Sequence, residues 1–420
     1  MRIAIVGAGV SGLVAAHLLH RHHDIVVFEA GDYAGGHANT VRVDTRQETH
    51  HVDTGFMVFN DRNYPNFTRL LAQLGVAPQP TRMSFGVSDG RGDFEYNSAS
   101  PNGLFAKRSH LATPWFHRMI ADLARFNRLA RKLLSSTGAE QGTGGDISLG
   151  AWLAENRFSE AFIERLIVPQ VSAVWSADPR HMWSFPARFV AEFFENHGML
   201  GFTGRPRWST VQGGSQSYVQ ALVAPWQHRL RLGTPVDSIE RSEHAVTVKA
   251  RGAEAERFDE VVIATHSDQA LSMLADADRR EHEILGSLPY QANEAVLHTD
   301  AGMLPRRRRA WASWNYHLLD PQSERAAVTY HMNKLQSLCA ESELCVTLNR
   351  SASIDPARVI RTIPYAHPVY TPEGVRAQAR RGEISGRNRT HYCGAYWGWG
   401  FHEDGVVSAL VVGRAFGVDL

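Results

Sequence analysis

No stretch of this chain of 420 residues offers the run of about twenty apolar residues that would span a bilayer. The opening MRIAIVGAGVSG is interrupted by glycines and lacks the apolar core and small-residue cleavage site of an export signal. Cysteine is scarce. Cys339, Cys345 and Cys393 have no metal-ligand spacing and are too few for a disulfide framework, which suits a reducing compartment. Charge of either sign is not in excess, with 44 Lys and Arg against 43 Asp and Glu, so bulk electrostatics give no reason to expect nucleic acid or an acidic partner. His17, His20, His22, His23 and the pair His50 and His51 have no second cluster of ligands beside them, so they read as surface residues rather than a metal site. These absences point to a cytoplasmic enzyme. The length predicts two interleaved domains rather than one core.

The positive signal starts at the second residue. Ile3, Ile5 and Val6 form a short apolar run of the kind buried in a parallel sheet. Gly7, Gly9 and Gly12 follow in Gly-x-Gly-x-x-Gly spacing, with Val10 and Ser11 between them, and then a helix-compatible stretch. Gly7 permits the tight turn, Gly9 lets backbone approach a pyrophosphate, and Gly12 allows the helix to pack on the strand. Free N–H groups and the dipole at the helix start stabilise the anion. A second strand, residues 25–28, ends in Glu29, whose carboxylate is placed to accept from a ribose diol and would repel a 2′-phosphate.

Ala30-Gly31-Asp32-Tyr33-Ala34-Gly35-Gly36-His37 comes next, and here the chain resembles the flavin amine oxidase and phytoene-desaturase superfamily. That family usually has an arginine where this chain has His37. The resemblance continues through residues 51–56 (HVDTGF), ending in Gly55 and Phe56, which the family sets beside the flavin. It extends through residues 211–215 (VQGGS) with Tyr218 and Leu222, through Val236 at the family's adenine contact, and through residues 258–265 (FDEVVIAT), ending in Thr265. Residues 393–396 (CGAY), including Gly394, and residues 401–409 (FHEDGVVSA) are similar to the terminal flavin motif. The resemblance implies non-covalent FAD, held at the C-terminal end by Gly394, Glu403, Asp404, Gly405, Val406 and Ser408. Backbone N–H groups at Gly405 or Val406 would stabilise charge on the flavin pyrimidine.

The expected fold is α/β: a discontinuous Rossmann-like FAD-binding domain (1–85, 205–285 and 385–420) with a mixed α+β, amine-oxidase-like substrate domain (86–204 and 286–384). Residues 229–264 read as three or four short strands with turns at Gly233 and Gly252. Pro114 starts a helix with an apolar stripe of Phe116, Met119, Ile120, Leu123, Phe126, Ala130 and Leu133. Residues 141–146 (QGTGGD) read as a loop and not a second nucleotide site, since no buried strand precedes them. Without a second nicotinamide fold, electrons would leave to oxygen, a quinone or a protein acceptor.

Many flavin amine oxidases hold a water beside the flavin with a lysine, and the resemblance puts that lysine within residues 289–295 (PYQANEA), where none occurs. Asn293 or Glu294 stands there instead. Candidate acid/base or polar groups are Glu294, Tyr396 and His402, with ordinary hydrogen bonding the competing reading for His402. Trp314, Trp397 and Trp399 wall a flat or elongated substrate, or pack in a core. Seven basic residues between Lys107 and Lys132, against Asp122 alone, leave open both a solvated helix face and a peripheral contact with the inner face of the membrane. The chain is most similar to a bacterial subgroup predicted to be FAD-dependent amine oxidases and encoded near cyclopropane-fatty-acid-synthase-type methyltransferases, which implies lipid chemistry by association. The expectation is an FAD-dependent oxidoreductase that dehydrogenates an apolar, fatty-acyl or lipid, substrate by hydride transfer to flavin N5. Its rivals are an oxidase of a small amine, a redox-neutral flavin-dependent isomerase, and a lipid-binding protein that keeps FAD structurally.

Overall fold

Arg2–Val6 is a strand whose alternate side chains enter different layers, as the period of two requires. Ile3 and Ile5 pack with the helices Val10–Leu19, Gln216–Val223 and His402–Ala415, whereas Ala4 and Val6 pack with a three-stranded antiparallel sheet (Val236–Arg241, Val246–Ala250, Glu256–Phe258). Being covered on both faces explains why the strand reads as a continuous apolar run. The computed structural model describes residues 1–45, 48–135, 147–176, 178–201, 204, 206–319 and 325–420. The loop expected at 141–146 lies outside them.

Among the described residues, Arg2–Val6 is central in a five-stranded parallel sheet, ordered Thr390–Tyr392, Glu260–Ile263, Arg2–Val6, Asp24–Phe28, Leu230–Arg231. Its strands come from three distant parts of the chain. Residues 229–264 contain five strands rather than three or four. The extra boundary is Asp259, whose N–H donates to the Arg2 carbonyl (2.8 Å) and hands the chain from the antiparallel sheet to the parallel one.

A seven-stranded, largely antiparallel sheet is ordered Val359–Pro368, Tyr290–His298, Cys345–Leu348, Val328–His331, Trp314–His317, Phe85–Ser88, Glu95–Asn97. It shares one large core with the helices Pro114–Ser135, Val168–Trp175 and Ala187–Asn196. The helix at Pro114 runs to Ser135 and buries Phe116, Met119, Phe126 and Ala130 of the predicted stripe. Just before Val168–Trp175, residues Ile163–Ile167 make one π turn. Pro169 has no N–H for the Arg165 carbonyl, and that carbonyl accepts from the Tyr96 hydroxyl (3.2 Å) instead. No helix among the described residues is long and apolar enough to cross a membrane. His22 and His51 are exposed as expected, but His17, His20 and His23 are half-buried and His50 is buried. No group of three or more potential metal ligands occurs among the described residues.

Candidate active site

A cavity of about 1040 Å³ runs from the first Gly-rich turn into the space between the two sheets. It exceeds the roughly 300–1,000 Å³ of a single small-ligand site, as a cavity shared by cofactor and substrate would.

The nucleotide end is built by backbone. Gly7 has φ +101°, and a Cβ there would meet the Ala264 carbonyl oxygen at 2.9 Å. A Cβ on Gly12 would lie 1.9 Å from the Gly7 oxygen, so the nucleotide helix can approach the strand only with glycine there. Gly9 differs: a Cβ would meet nothing within 4 Å and would point into open space where the helix begins. The Glu29 carboxylate accepts from the Ala8 N–H (2.7 Å) and the Gly31 N–H (2.8 Å), which fixes it at the cavity wall with lone pairs to spare. Val10, Ser11, Ala30, Gly35, Gly36, Val236 and Thr265 line the same end. An open glycine cradle, unpaired first-turn N–H groups and a fixed carboxylate suit the pyrophosphate and ribose of FAD.

Further in, Gly55, Phe56, Gly394, Tyr396, Trp399, His402 and Trp314 line the cavity. His37 also lines it, stacked on Tyr365 at 4.6 Å, with His367 at 5.1 Å and His266 at 6.5 Å. Burial pushes the His37 imidazole well below its ordinary pKa and takes His367 to about 4, so both are neutral near pH 7. Three imidazoles therefore gather where the family resemblance expects one guanidinium. His367 was not foreseen, yet it connects to a residue that was. Asn293 donates from Nδ2 to His367 Nδ1 (2.7 Å), so one of the two residues expected at the place of the family's lysine reaches the cavity through an imidazole.

Other candidates lie elsewhere. Glu294 does not line the cavity; it is in the strand Tyr290–His298, where its N–H donates to Asn349 Oδ1 (3.0 Å). Trp397 packs against the three-stranded-sheet core, under the Arg381 guanidinium at 5.6 Å. Glu403 turns away and accepts from Asn66 N–H (3.1 Å) and Phe67 N–H (2.9 Å), capping the helix Pro65–Leu74. Asp404 accepts from Phe401 N–H (2.9 Å) at the start of its own helix. Gly405 is a packing glycine: a Cβ would meet Val10 Cγ1 at 2.6 Å, and its N–H already donates to the Phe401 carbonyl (3.1 Å). Val406 is fully buried in the helix layer, and Ser408 Oγ accepts from the Gly394 N–H (2.9 Å). The first-turn N–H groups, at His402, Glu403 and Asp404, are the ones with no helix carbonyl to donate to.

Residues 10–304 match the family described as flavin containing amine oxidoreductase. The chain belongs to that family. Its cofactor is FAD, and it is of the FAD-dependent oxidoreductase class. A protein of Mycobacterium tuberculosis named as a flavin-containing monoamine oxidase, AofH, is 27% identical over 322 residues, which cover 74% of this chain and 65% of that one. The chain thus spans just under two thirds of that relative. A protein of Synechococcus elongatus named as a zeta-carotene desaturase is 28% identical over 194 residues, 43% of this chain and 40% of the relative. Among solved structures, cyclohexylamine oxidase from Brevibacterium oxydans aligns over 99% of both chains with TM-score 0.70 and 17% identity. A fatty acid isomerase from P. acnes aligns over 98% of both with TM-score 0.72 and 17% identity. At such identities the likeness is one of fold, and the fold is that of the amine oxidases.

Proposed function

We propose that this flavin oxidoreductase dehydrogenates an apolar acyl chain. The observation that carries the reading is the charge of the cavity wall. Among its described lining residues Glu29, at the ribose end, is the only carboxylate, and no lysine is present. Around the rest stand Met57, Val58, Met83, Phe85, Leu123, Leu166, Val174, Trp175, Phe193, Met199, Trp208 and Trp314. A protonated amine moved into that wall would be a buried charge with no counter-ion, whereas an alkyl chain loses nothing there and gains about 0.8 kcal/mol per buried CH₂.

Bound FAD supplies a hydride acceptor, and the electrons leave in turn to oxygen, a quinone or a protein. The chain's own part is to hold and orient. Gly9 and Glu29 place the nucleotide, the aromatic wall excludes water, and the neutral imidazoles of His37, His367 and His402 offer hydrogen bonds without charge. The desaturase relative and the fatty acid isomerase likeness favour a long apolar substrate; the monoamine oxidase relative favours an amine, against which the missing carboxylate weighs. The isomerase likeness also favours a redox-neutral variant, recognised by turnover that consumes no acceptor. We assign access from a membrane to the start of the helix at Pro114, where Leu111 (55% exposed) and Trp115 (39%) stand beside Lys107 and Arg108. Lys107 is paired with Asp93, and Arg118, Arg125 and Arg131 along that helix are paired with Asp122 and Glu195.

Lipidomics of cells with and without the gene tests the reading: a precursor acyl species accumulates and its desaturated product disappears when the gene is removed. An unchanged acyl profile contradicts it.

A further inference from the structure

The strands Tyr290–His298 and Val359–Pro368 pair antiparallel with Gln291 opposite His367, and alternate residues share a face, so Gln291, Asn293 and His367 stand together. Asn293 is 3% exposed, and every position of its carboxamide is occupied. Its Oδ1 accepts from Gln291 Nε2 (3.1 Å) and Asn349 Nδ2 (2.8 Å), while its Nδ2 donates to the Gln291 carbonyl (3.4 Å) and to His367 Nδ1 (2.7 Å). The two flanking amides are themselves fixed by backbone. Gln291 accepts from the Asp178 N–H and donates to the Ser176 carbonyl, and Asn349 accepts from the Glu294 N–H and donates to the Ala326 carbonyl. None of the three amides can turn over without setting donor against donor. His367 Nδ1 is therefore an acceptor, and the one proton of the neutral ring sits on Nε2. That Nε2 has no hydrogen-bond partner among the described residues, and it is not sealed by packing as His37 Nε2 is, so its N–H opens to the cavity that His367 lines.

We propose that His367 is a neutral hydrogen-bond donor, locked by Asn293, to a carbonyl oxygen of the FAD flavin ring. Its neighbours place it along the cofactor. The imidazole stands 5.1 Å from that of His37, and Gly36 is so close to Gly9 that a Cβ on it would meet the Gly9 Cα at 3.2 Å. On the other side, a Cβ on Gly400 would lie 3.4 Å from Cγ of Pro368, the residue after His367. His367 thus stands between the pyrophosphate cradle and the segment that leads into His402. A pyrophosphate would favour an imidazolium, which the Asn293 donor opposes, whereas a neutral acceptor suits the locked ring. Of the flavin's acceptors, N5 gains a hydrogen on reduction and would then meet Nε2–H donor to donor. A ring carbonyl stays an acceptor and gains electron density, so the bond strengthens as FAD is reduced. His367 contacts the cofactor; Asn293, acting through it, is a positioning residue. The inference is independent of the substrate.

The test equilibrates holoenzyme with a redox dye and reads the ratio of reduced to oxidised FAD at a fixed poise in wild type, H367F, N293L and H367F/N293L, with FAD affinity measured alongside. H367F should lower the ratio about tenfold, equivalent to about 30 mV for two electrons. N293L should lower it by about threefold and add nothing in the double variant. An unchanged ratio in H367F overturns the proposal, and a fall in FAD affinity alone would assign the contact to the pyrophosphate. A raised ratio overturns the carbonyl in favour of N5, and additive effects overturn the relay. If the variants do not retain FAD, imidazole nitrogen NMR signals of the wild-type holoenzyme decide, assigned by their absence from H367F apoprotein. Nε2 of His367 should carry a proton that exchanges with water more slowly than in the apoprotein, and Nδ1 should carry none. The opposite tautomer, or no added protection, overturns the proposal.

Discussion

Phe56 and His402 stack face to face, with ring centroids 3.6 Å apart and planes 9° from parallel. The stack joins the turn after the strand Thr49–Asp53 to the first residue of the last helix, and both rings line the cavity. His402 Nε2 is 3.0 Å from the Tyr218 hydroxyl. Both groups are buried, burial takes the imidazole to about 3, and the phenol is held far above its ordinary range. A neutral phenol donating to Nε2 leaves the proton of a neutral imidazole on Nδ1.

Replacing His402 by Phe keeps the stack but strands the Tyr218 hydroxyl. H402F is therefore expected to lose about 1–3 kcal/mol of unfolding free energy, and Y218F/H402F to recover most of it. Urea titration of the wild type, both single variants and the double variant measures the coupling; strict additivity contradicts the pair.

The glycines separate folding from cofactor binding. G9V adds a side chain to open space, so its apoprotein should melt like wild type while FAD affinity falls at least about tenfold, roughly 1.4 kcal/mol. G405A instead pushes Val10 and Ser11, so it should cost about 1–3 kcal/mol of stability as well as cofactor. Thermal melts of apoprotein and FAD titrations distinguish them. A G9V variant that binds FAD normally would move the nucleotide elsewhere.

How far these sites were legible depends on how local their signal is. Gly7, Gly9, Gly12 and Glu29 lie within one strand–helix–strand unit, so spacing alone places them together. At the C-terminal end, neighbours in sequence point in different directions. His402 faces the cavity, whereas Glu403, one step of about 100° around the helix, reaches back to Asn66 and Phe67. A motif seen as a string carries no helix phase relative to the cavity, which is why Glu403, Gly405 and Val406 read as cofactor contacts. His367 and Tyr365 come from a strand far along the chain, and only tertiary pairing brings them to His37.

Acid should destabilise the protein. Burial lowers His17, His197, His298 and His367 to about 4 and His317 and His402 to about 3, below the ordinary 6.5. Their contribution is present above pH 6.5 and is lost as pH falls toward those values. Asp53, raised to about 6, and Asp404, raised to about 7, act oppositely: their contribution is full below the usual carboxylate range and lost as pH rises through those values. The histidines outnumber the carboxylates, so unfolding free energy should fall between pH 8 and pH 5. The loss should be shallower in H402F and steeper in D404N. Urea midpoints at the two pH values measure this, and a rise toward pH 5 in the wild type contradicts it.

FAD should be released by denaturation. Residues 396–400 (YWGWG), where some relatives attach the flavin, contain no cysteine. Precipitation with trichloroacetic acid should leave the yellow colour in the supernatant; a yellow pellet refutes non-covalent binding.

The central claim is that the oxidisable group is an apolar acyl chain. Anaerobic mixing of holoenzyme with phospholipid in mixed micelles, and separately with a panel of primary and secondary amines, tests it most directly through the flavin's visible absorbance. Bleaching by the phospholipid with a matching yield of desaturated acyl chain, and none by the amines, is the predicted result. Bleaching by an amine with the phospholipid inert would contradict it.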